Sequence, residues 1–444
     1  MRAFSERPDD GRAGTFGLIV ALTLLPFTGI AEVRPPEPQG DGPQGTLTLD
    51  AAVSNALARN PDLAAGGFSL KAAEARITQA RLRPNPEVSL ELENFAGSGP
   101  LQGTDSLEST LSLSQVVELG GKRRLRTERA SIDLELATID RQAQALDLLA
   151  EVTRRYIALV AAQDRAELAA TTSAVAKSTY DAIAKRVQAA RSPEAELSRA
   201  SIALTRARVE LRQTESTRLA ARQSLASLWG SQKPEFANAS GDLLTLRPIR
   251  ALEDLMAELE LNPDYLRFAS EARLRDAELR LARAQARPNI VFGLGMRRLE
   301  DTNDSALVAG FSIPLPVSDR NQGAIREAEL LRAQTDAQRQ AALLRAHATV
   351  FGLYQELSAT RVRVETLRND ALPEAQRALE QTQYGYERGR FSYLELSTAQ
   401  QELIDLRAAI IDAAADYHRL LAEIERLTNA PLGSQAPQIT SESP

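Results

Sequence analysis

The chain has 444 residues, a formal net charge of −6, 5% aromatic residues and no cysteine. Its Lys and Arg residues are interleaved with Asp and Glu and form no basic stripe, so we expect no nucleic acid partner. Long segments rich in Ala, Leu, Arg, Gln and Glu favour extended helices over a compact globule. Without cysteine we expect neither disulfides nor a thiol that carries a lipid anchor.

The first residues have the pattern of an export signal. Three arginines precede an apolar run from Phe16 to Ile30, and small residues stand at Gly29 and Ala31. The alternative is a short membrane anchor, but the run is shorter than the roughly 20 residues of a spanning helix, and Pro26 interrupts it. We therefore predict a signal peptide over residues 1–31.

The segments at both ends of the mature chain are rich in Pro, Gly and Ser. This composition predicts a flexible linker over 32–46 and a flexible tail over 431–444. Between them no long apolar segment remains, so we do not expect helices to carry the mature chain across a membrane.

The rest of the chain repeats after about two hundred residues. Asn60-Pro61-Asp62 precedes a helical stretch that ends at Arg83-Pro84-Asn85, and Asn262-Pro263-Asp264 precedes one that ends at Arg287-Pro288-Asn289. A repeat this long indicates a duplicated half rather than a solenoid unit. The predicted structural repeats cover 47–240 and 241–430.

After each Arg-Pro-Asn the pattern changes to strict alternation, which is typical of strands with one apolar and one polar face. Val88, Leu90 and Leu92 alternate with polar residues in the first copy, and a second alternating run follows a polar loop in each copy. The predicted strands cover about 86–97, 107–118, 289–299 and 305–316.

Apolar residues step by four and three along 132–160, 343–371 and 399–427, a repeat that specifies coiled-coil packing. The first long helix has no breaker and spans about 100 Å, whereas Pro373 should kink or interrupt its counterpart. An ordinary fibrous coiled coil also fits the heptads, but the strands argue against it. Long helices are predicted over about 120–190, 193–229, 320–388 and 392–429.

The strands have about the length that crosses a bilayer at a tilt. Four strands cannot close a barrel, because about eight is the practical minimum and lipid does not tolerate open edges. Either the sheet is soluble, or several chains pool their strands, and three chains supply twelve. In such a barrel Val88, Leu90, Leu92, Phe292 and Leu294 face lipid, while Ser89, Glu91, Ser112, Ser114 and Gly293 face water.

An export signal, duplicated halves, two strands per half and paired long helices together resemble the TolC-type outer membrane efflux proteins. The stretches RPNPEVSLELENFAGSGP (83–100) and LSLSQVVELGGKRR (111–124) are similar to the heavy-metal, CzcC- and CusC-like branch of that family. The resemblance implies a mainly α fold with a small β part: a coiled-coil helical tunnel in the periplasm and a twelve-stranded barrel in outer membrane lipid, completed by a homotrimer. It also implies a periplasmic adaptor and an inner membrane resistance-nodulation-division pump as partners.

The residues predict no enzyme and no cofactor. Gly121-Lys122 lacks the upstream glycine of a phosphate loop. Gly293-Leu294-Gly295 lacks the third glycine of the dinucleotide-binding pattern G-x-G-x-x-G. His347 and His418 fall in separate predicted helices, whereas a selective site for a soft or borderline metal ion needs clustered imidazole or sulfur ligands. We therefore expect no metal site and passive conduction, with the metal chosen upstream and the energy supplied by a partner.

The two hairpins that join the long helices are the informative functional stretches. Tyr386 to Gly389 matches the Tyr-x-x-Gly pattern of the family, whose hairpins form the periplasmic tip, and Ala190 stands where the first hairpin should have a glycine. Three copies of Glu395 about 8 Å apart repel by only about 0.5 kcal/mol per pair in water, so packing should dominate the gate. The resemblance implies periplasmic gate residues Arg388, Arg390, Glu395 and Thr398. It implies adaptor-contacting tip residues Ala190, Arg191, Ser192, Gly389, Phe391 and Ser392.

These observations predict an outer membrane exit duct of a tripartite efflux system for heavy-metal cations. One alternative is a duct for organic compounds or exported polypeptide. The other is a secreted coiled-coil structural protein.

Overall fold

The computed structural model describes residues 45–428, which lie within one compact unit. The predicted signal peptide over 1–31, most of the linker and the tail over 431–444 lie outside the described residues. Gly45 and Thr46 were assigned to the flexible linker by the sequence, but they belong to a strand that pairs with Phe236 and Asn238. The linker prediction is therefore wrong at these two residues.

The first half of the described chain consists of helices interrupted by one hairpin of strands. Its elements are β1 Gly45–Leu47, α1 Leu49–Arg59, α2 Pro61–Arg81, β2 Glu87–Glu93, β3 Glu108–Val117, α3 Lys122–Gln188, α4 Glu194–Ala226 and β4 Phe236–Ala239.

The second half repeats this pattern of helices, hairpin and long helices. Its elements are α5 Leu252–Leu259, α6 Pro263–Gln285, β5 Ile290–Leu299, β6 Asp304–Ser312, α7 Gln322–Thr366, α8 Leu372–Glu387 and α9 Tyr393–Thr428. The predicted fold class, mainly helical with a small β part, is confirmed.

Two strands end earlier than their predicted bounds of 97 and 316. β2 stops at Glu93 because Asn94 and Ala96 adopt positive φ values of 58°, which turn the chain out of the extended conformation. β6 stops at Ser312 because Pro314 and Pro316 have no amide hydrogen for a sheet.

The repeated Asn-Pro-Asp motif begins a helix in each half. The side-chain oxygen of Asn60 accepts a hydrogen bond from the amide of Leu63 (2.8 Å), and that of Asn262 accepts one from Asp264 (2.9 Å). The same two side chains are buried and donate across the fold, Asn60 to the carbonyl of Leu228 and the second asparagine to that of Arg426, both at 2.8 Å. Each motif therefore caps one helix and fixes it to the end of another segment of the same half.

The two halves meet in a single antiparallel sheet with the strand order β2-β3-β5-β6. β3 of the first half pairs with β5 of the second, so that the edge strands β2 and β6 come from different halves. A separate parallel pair joins β1 to β4.

The junction between sheet and helices needs two consecutive left-handed residues, Gly120 and Gly121, with φ values of 75° and 71°. A Cβ on Gly120 would lie 2.9 Å from the side chain of Arg287 and 3.3 Å from the carbonyl of Ala284, so a substitution would add a close contact to the strained φ. The Gly121-Lys122 pair is thus a turn, and the ammonium of Lys122 donates to the carbonyl of Arg287 and to Asn289, both at 2.6 Å.

Most of the large core lies around the middle of the long helices. Trp229 and Phe236 pack against each other with ring centroids 6.0 Å apart, and Tyr156 donates its hydroxyl to the carbonyl of Leu47 (2.9 Å). A second cluster surrounds Tyr417 of α9 and Leu259 of α5. These clusters hold β1, β4 and α5 against the long helices.

α7 and α8 form one helical run that contains a π turn at Leu367–Ala371. In a regular helix the ring of Pro373 would clash with the carbonyl of Asn369, and the wider π turn lies at that point. The run continues to Glu387, so Pro373 changes the helix locally without ending it.

α3 packs against helices on both sides, as its two apolar seams predict. Near the sheet the packed order is α2, α3, α6 and α7; beyond the middle it is α4, α3, α9 and then α7 with α8. One edge of this helical layer therefore belongs to the first half and the other edge to the second half, as in the sheet.

Candidate functional site

Two parts of the chain have the features expected of a duct: the four-stranded sheet and the tips of the helical hairpins. They are joined by α3, which begins four residues after β3 and has 67 residues. At 1.5 Å per residue the first tip lies about 100 Å along this helix from the sheet.

The register of the sheet separates apolar from polar side chains, because residues paired across antiparallel strands share a face. Val88 pairs with Leu113, which pairs with Leu294. Ser89 pairs with Ser112, and their hydroxyls lie 2.7 Å apart. The face that we call the apolar face carries Val88, Leu90, Leu92, Leu111, Leu113, Phe292, Leu294, Met296, Leu307 and Phe311.

The apolar face is uncovered in the single chain. Leu307 is 81% exposed, Phe311 74% and Val88 72%. Contiguous apolar surface of this kind marks contact with lipid or with another protein. The edge strands β2 and β6 each have a second side without a partner strand among the described residues.

The two hairpin tips have the same backbone geometry. Ala190 has a φ of 55° and donates its amide to the carbonyl of Val187 (2.9 Å), while Arg191 donates to that of Arg186 (2.8 Å). Gly389 has a φ of 71° and makes the matching bonds at the second tip. These paired bonds are the Schellman end of a helix, so Ala190 does occupy the position of a glycine.

The predicted gate acid, Glu395, is part of a helix cap. Its carboxylate accepts hydrogen bonds from the backbone amide (2.7 Å) and hydroxyl (2.9 Å) of Ser392, and its own amide points back to that hydroxyl at 3.4 Å. This is a capping box at the start of α9. The bond from the Ser392 amide holds the pKa of Glu395 below its ordinary value.

The other predicted gate residues lie close to this cap. The guanidinium of Arg388 lies 3.9 Å from the centroid of the Tyr384 ring, and Arg390 is exposed at the turn. Thr398 donates its hydroxyl to the carbonyl of Leu394 within α9. The structure thus brings the four gate residues together at the second tip.

The six predicted adaptor-contacting residues occupy the two turns. Ala190, Arg191, Gly389, Phe391 and Ser392 are exposed, and Ser192 is half-buried. Phe391 lies over Gly385, where a Cβ would come within 2.2 Å of its ring.

Packing between the two tips involves residues that the sequence reading missed. The guanidinium of Arg186 lies 4.8 Å from the centroid of the Tyr386 ring, and Tyr393 packs against Ile183 and Ala200. The repeat offers a signal for another of them, since Glu196 follows Ala190 by six positions as Glu395 follows Gly389.

Two buried polar atoms stand unpaired between the tips. Among the described residues, neither the hydroxyl of Tyr386 nor one carboxylate oxygen of Glu196 has a hydrogen-bond partner. Burial raises the pKa of Tyr386, which the guanidinium of Arg186 lowers in part and the carboxylate of Glu196 raises. Unpaired buried polar groups weaken a contact, so this tip junction is held mainly by its rings and by Arg186.

A groove of about 850 Å³ runs beside the tips over α3, between α4 and α9. Thr398 lines it together with Ile202 and Leu394, both of which are exposed apolar residues. The groove therefore extends from the second tip towards the middle of the helices.

Within residues 45–428, His, Asp and Glu side chains form no group of three or more that could hold a metal ion. The imidazole of His418 is half-buried and lies 3.0 Å from the carbonyl of Leu243, while His347 is exposed. Among the helices that the structure describes, none has both the length and the apolar composition needed to span a membrane.

The sequence pattern of the family described as outer membrane efflux protein matches residues 52–231 and 255–430. The chain is 32% identical over 387 residues to the cobalt-zinc-cadmium resistance protein CzcC of Cupriavidus metallidurans, covering 86% of this chain and 90% of that protein. It is 28% identical over 277 residues to the nickel and cobalt resistance protein CnrC of the same organism, covering 62% of this chain and 65% of that one.

A crystal structure of CusC, described by its transmembrane channel formation, superposes with a TM-score of 0.72. It covers 86% of this chain and 91% of that chain at 17% identity, a likeness that concerns the fold. The family pattern covers both halves of the chain, including the sheet and both tips. This chain is a member of the outer membrane efflux protein family.

Proposed function

We propose that three copies of this chain close edge to edge into an outer membrane duct that passively conducts heavy-metal cations from the periplasm to the exterior. The observation that carries this proposal is the pair of open sheet edges. They belong to β2 and β6, which run antiparallel because three antiparallel pairings separate them. β2 of one copy can therefore extend the antiparallel sheet of the next at β6, and three copies make twelve strands.

The helices support the same closure. α7 carries an exposed row of apolar residues that includes Leu344, Phe351 and Val362, and α4 exposes Ile202 and Val209. These residues lie on helices at opposite edges of the layer, so head-to-tail contact between neighbouring copies covers both rows. Such heterologous contacts form a closed ring when the rotation closes.

Lipid accounts for the apolar face of the sheet. With this face outward, the barrel presents apolar side chains to the hydrocarbon and polar ones to a wet lumen, as in outer membrane barrels generally. Export under a signal peptide over residues 1–31 is part of this proposal.

The tips are proposed as the periplasmic entrance. Arg388, Arg390, Glu395 and Thr398 line the gate, and the exposed turn residues around Ala190 and Gly389 contact a periplasmic adaptor. The junction of Arg186, Tyr386 and Glu196 keeps the two hairpins together. Separating the hairpins breaks the contact of Tyr386 with Arg186 and exposes to water the Tyr386 hydroxyl and the Glu196 oxygen that have no hydrogen-bond partner among the described residues.

Heavy-metal cations are proposed as cargo because the names of CzcC and CnrC state resistance to cobalt, zinc, cadmium and nickel. Conduction needs no metal site in the chain. An inner membrane pump of the resistance-nodulation-division type supplies energy and selects the ion, and the duct itself carries no catalytic step.

A deletion strain tests the cargo. Growth is measured on zinc, cobalt, cadmium, nickel and copper salts, and on a set of organic toxins, with and without the wild-type gene. We expect the deletion to increase sensitivity to at least one metal ion and the gene to restore growth. Unchanged growth on all the metals, with new sensitivity to an organic toxin, would contradict metal efflux and favour an organic compound duct.

Planar bilayers test the entrance. The purified wild-type chain should conduct, and Tyr386→Ala combined with Glu196→Ala should raise the conductance by loosening the junction. Thr382→Ala is the control, because this residue bonds only within its own helix, to the carbonyl of Ala378. Conductance equal to that of the control would contradict a gate at this junction.

A further inference from the structure

Opposite the apolar face, the sheet presents mostly small residues near the helices, with Glu87 at its β2 edge, and charged residues near the hairpin loops. One row across the strands consists of Glu87, Ser114, Gly293 and Gly310, and the next of Ser89, Ser112, Gly295 and Val308. The two rows nearest the loops contain Glu91 and Arg297, then Glu93, Glu108 and Asp304. We call these last two rows the charged rim.

Arg297 lies at the centre of the charged rim and connects three strands. Its guanidinium donates to Glu108 (2.7 Å), to Glu93 (3.1 Å) and to the hydroxyl of Thr110 (2.9 Å). The side chain of Asn94 donates to the second oxygen of Glu108 at 3.0 Å. Arg297 is therefore paired with two of the carboxylates, offsets one of their two charges and has little freedom to move.

The remaining carboxylates of the charged rim are not offset. Glu91 stands opposite Thr110, and Asp304 stands opposite Leu299. Both are exposed, and neither takes part in an ion pair among residues 45–428. With four carboxylates and one guanidinium, each chain contributes a rim charge of −3.

Three such rims at one end of a barrel act on every ion that passes. The Debye length is about 10 Å at 0.1 M salt, and low-dielectric walls focus the field of fixed charges into a lumen. Negative fixed charge raises the local concentration of cations and lowers that of anions. The inner rows consist of small residues apart from one carboxylate, Glu87 at the β2 edge, so most of the charge on this face of the sheet lies in the rim.

We propose that the charged rim is a charge filter at the outer end of the duct, and that Arg297 sets how strongly cations are preferred over anions. This inference rests on the proposed function, because it needs a barrel with the polar face inward. It concerns the selectivity of conduction and requires no bound ion.

Reversal potentials in planar bilayers under a potassium chloride gradient test the filter, with the full chain as the protein. Arg297→Gln should raise the ratio of potassium to chloride permeability by about two-fold or more, because one more unscreened charge per chain acts on each ion. Glu91→Gln should lower the ratio by a similar factor, and this variant breaks no ion pair among residues 45–428. Arg297→Lys keeps the charge and should leave the ratio close to that of the wild type.

Arg298→Gln is the matched control. Arg298 is the next residue of the same strand, pairs with Ser109 and therefore lies on the opposite face. Its loss should leave the permeability ratio unchanged. Equal ratios for Arg297→Gln, Glu91→Gln and Arg298→Gln in a conducting channel would overturn the filter and leave the duct standing. A wild-type chain that never conducts would overturn the proposed duct and the filter with it.

Discussion

Asn60 and Asn262 show how a single residue type performs the same task twice. Each side chain caps a helix with its oxygen and bonds a distant carbonyl with its nitrogen, at a buried position. Aspartate would lack the N–H group that donates to the distant carbonyl, and the side chain of serine would be too short to reach that carbonyl. Both roles of the asparagine therefore depend on its amide group.

We expect Asn60→Ala or Asn262→Ala to lower the free energy of unfolding by about 2 kcal/mol, because each loses a cap and leaves a buried carbonyl unpaired. Urea unfolding of the detergent-solubilised protein measures the change. Asn55→Ala is the control, since Asn55 bonds only to Ala51 of its own helix and should cost less than about 1 kcal/mol. Equal losses for all three variants would contradict the bridging role.

The two tips offer a matched pair of backbone tests. Ala190 holds a left-handed conformation that costs a residue with a Cβ about 1 kcal/mol, whereas Gly389 holds it freely. Ala190→Gly should therefore stabilise the protein by about 1 kcal/mol, and Gly389→Ala should destabilise it by a similar amount. Unfolding midpoints measure both, and changes of the same sign would contradict the shared geometry.

Asp164 of α3 predicts a pH dependence of stability. Burial, together with the nearby carboxylates of Glu167 and Asp242, raises its pKa from 3.8 to about 6. Because the folded state binds the proton of such an acid more tightly than the unfolded state does, protonation favours folding. The contribution of Asp164 to the free energy of unfolding is therefore lost as the pH rises from about 4 to about 6.

Asp164→Asn should therefore stabilise the protein at pH 7 by about 1 kcal/mol, after allowance for the half-exposed position of the carboxyl. Its stability should change less than that of the wild type between pH 4 and pH 6. Asp181→Asn is the control, because Asp181 is exposed and paired with Lys177. The prediction fails if both variants follow the wild-type pH profile.

At the scale of elements, α3, α6 and α7 are connected by a ladder of exposed ion pairs. Glu128 pairs with Arg280 (2.6 Å), Glu278 with Arg129 (3.2 Å) and Asp276 with Arg332 (2.7 Å). Exposed pairs contribute little individually, but a ladder disfavours any slip of one helix along another, because a slip brings like charges together.

Reversing one rung tests this alignment. Glu128→Arg and Arg280→Glu should each destabilise the protein, and the double variant should recover about 0.5 kcal/mol of the combined loss. A double-mutant cycle from urea unfolding gives the coupling, which should shrink in 1 M salt. A coupling energy of zero at low salt would show that apolar packing alone aligns these helices.

At the scale of the whole molecule, the sheet and the helical layer both have open edges that neighbouring copies of the chain could cover. β2 and β6 of one chain are separated by three strand spacings, about 14 Å, which is too far for a disulfide within the chain. The chain has no cysteine of its own, so introduced cysteines report contacts without background.

Leu90→Cys combined with a cysteine at Leu307 or Ala309 should form reducible links between chains and give covalent trimers on denaturing gels. Both β6 residues lie on the apolar face, and testing two of them allows for the register between copies. Leu90→Cys with Leu294→Cys is the control, because Leu294 lies in the interior strand β5 and should not link. Only monomers in every pairing would contradict the twelve-stranded barrel.

Local pattern was enough to predict much of this protein. Alternation in 88–92 and the four-three spacing in α9 are properties of neighbouring residues, and the repeat at Asn60 and Asn262 is visible by eye. The mainly helical fold, the efflux family and the outer membrane location follow from such signals. The apolar and polar sides of the sheet follow as well, because a period of two fixes the face of every residue.

Only the tertiary structure decided which distant residues meet. The pairing of β3 with β5, the contact of Arg186 with Tyr386 and the bridge from Arg297 to Glu93 and Glu108 join residues 173 to 204 positions apart. Local pattern carries no information on such pairings, since many registers would bury similar apolar area. The register of the folded sheet determines which residues form the charged rim. The packing of the two tips determines which residues meet at the junction between them.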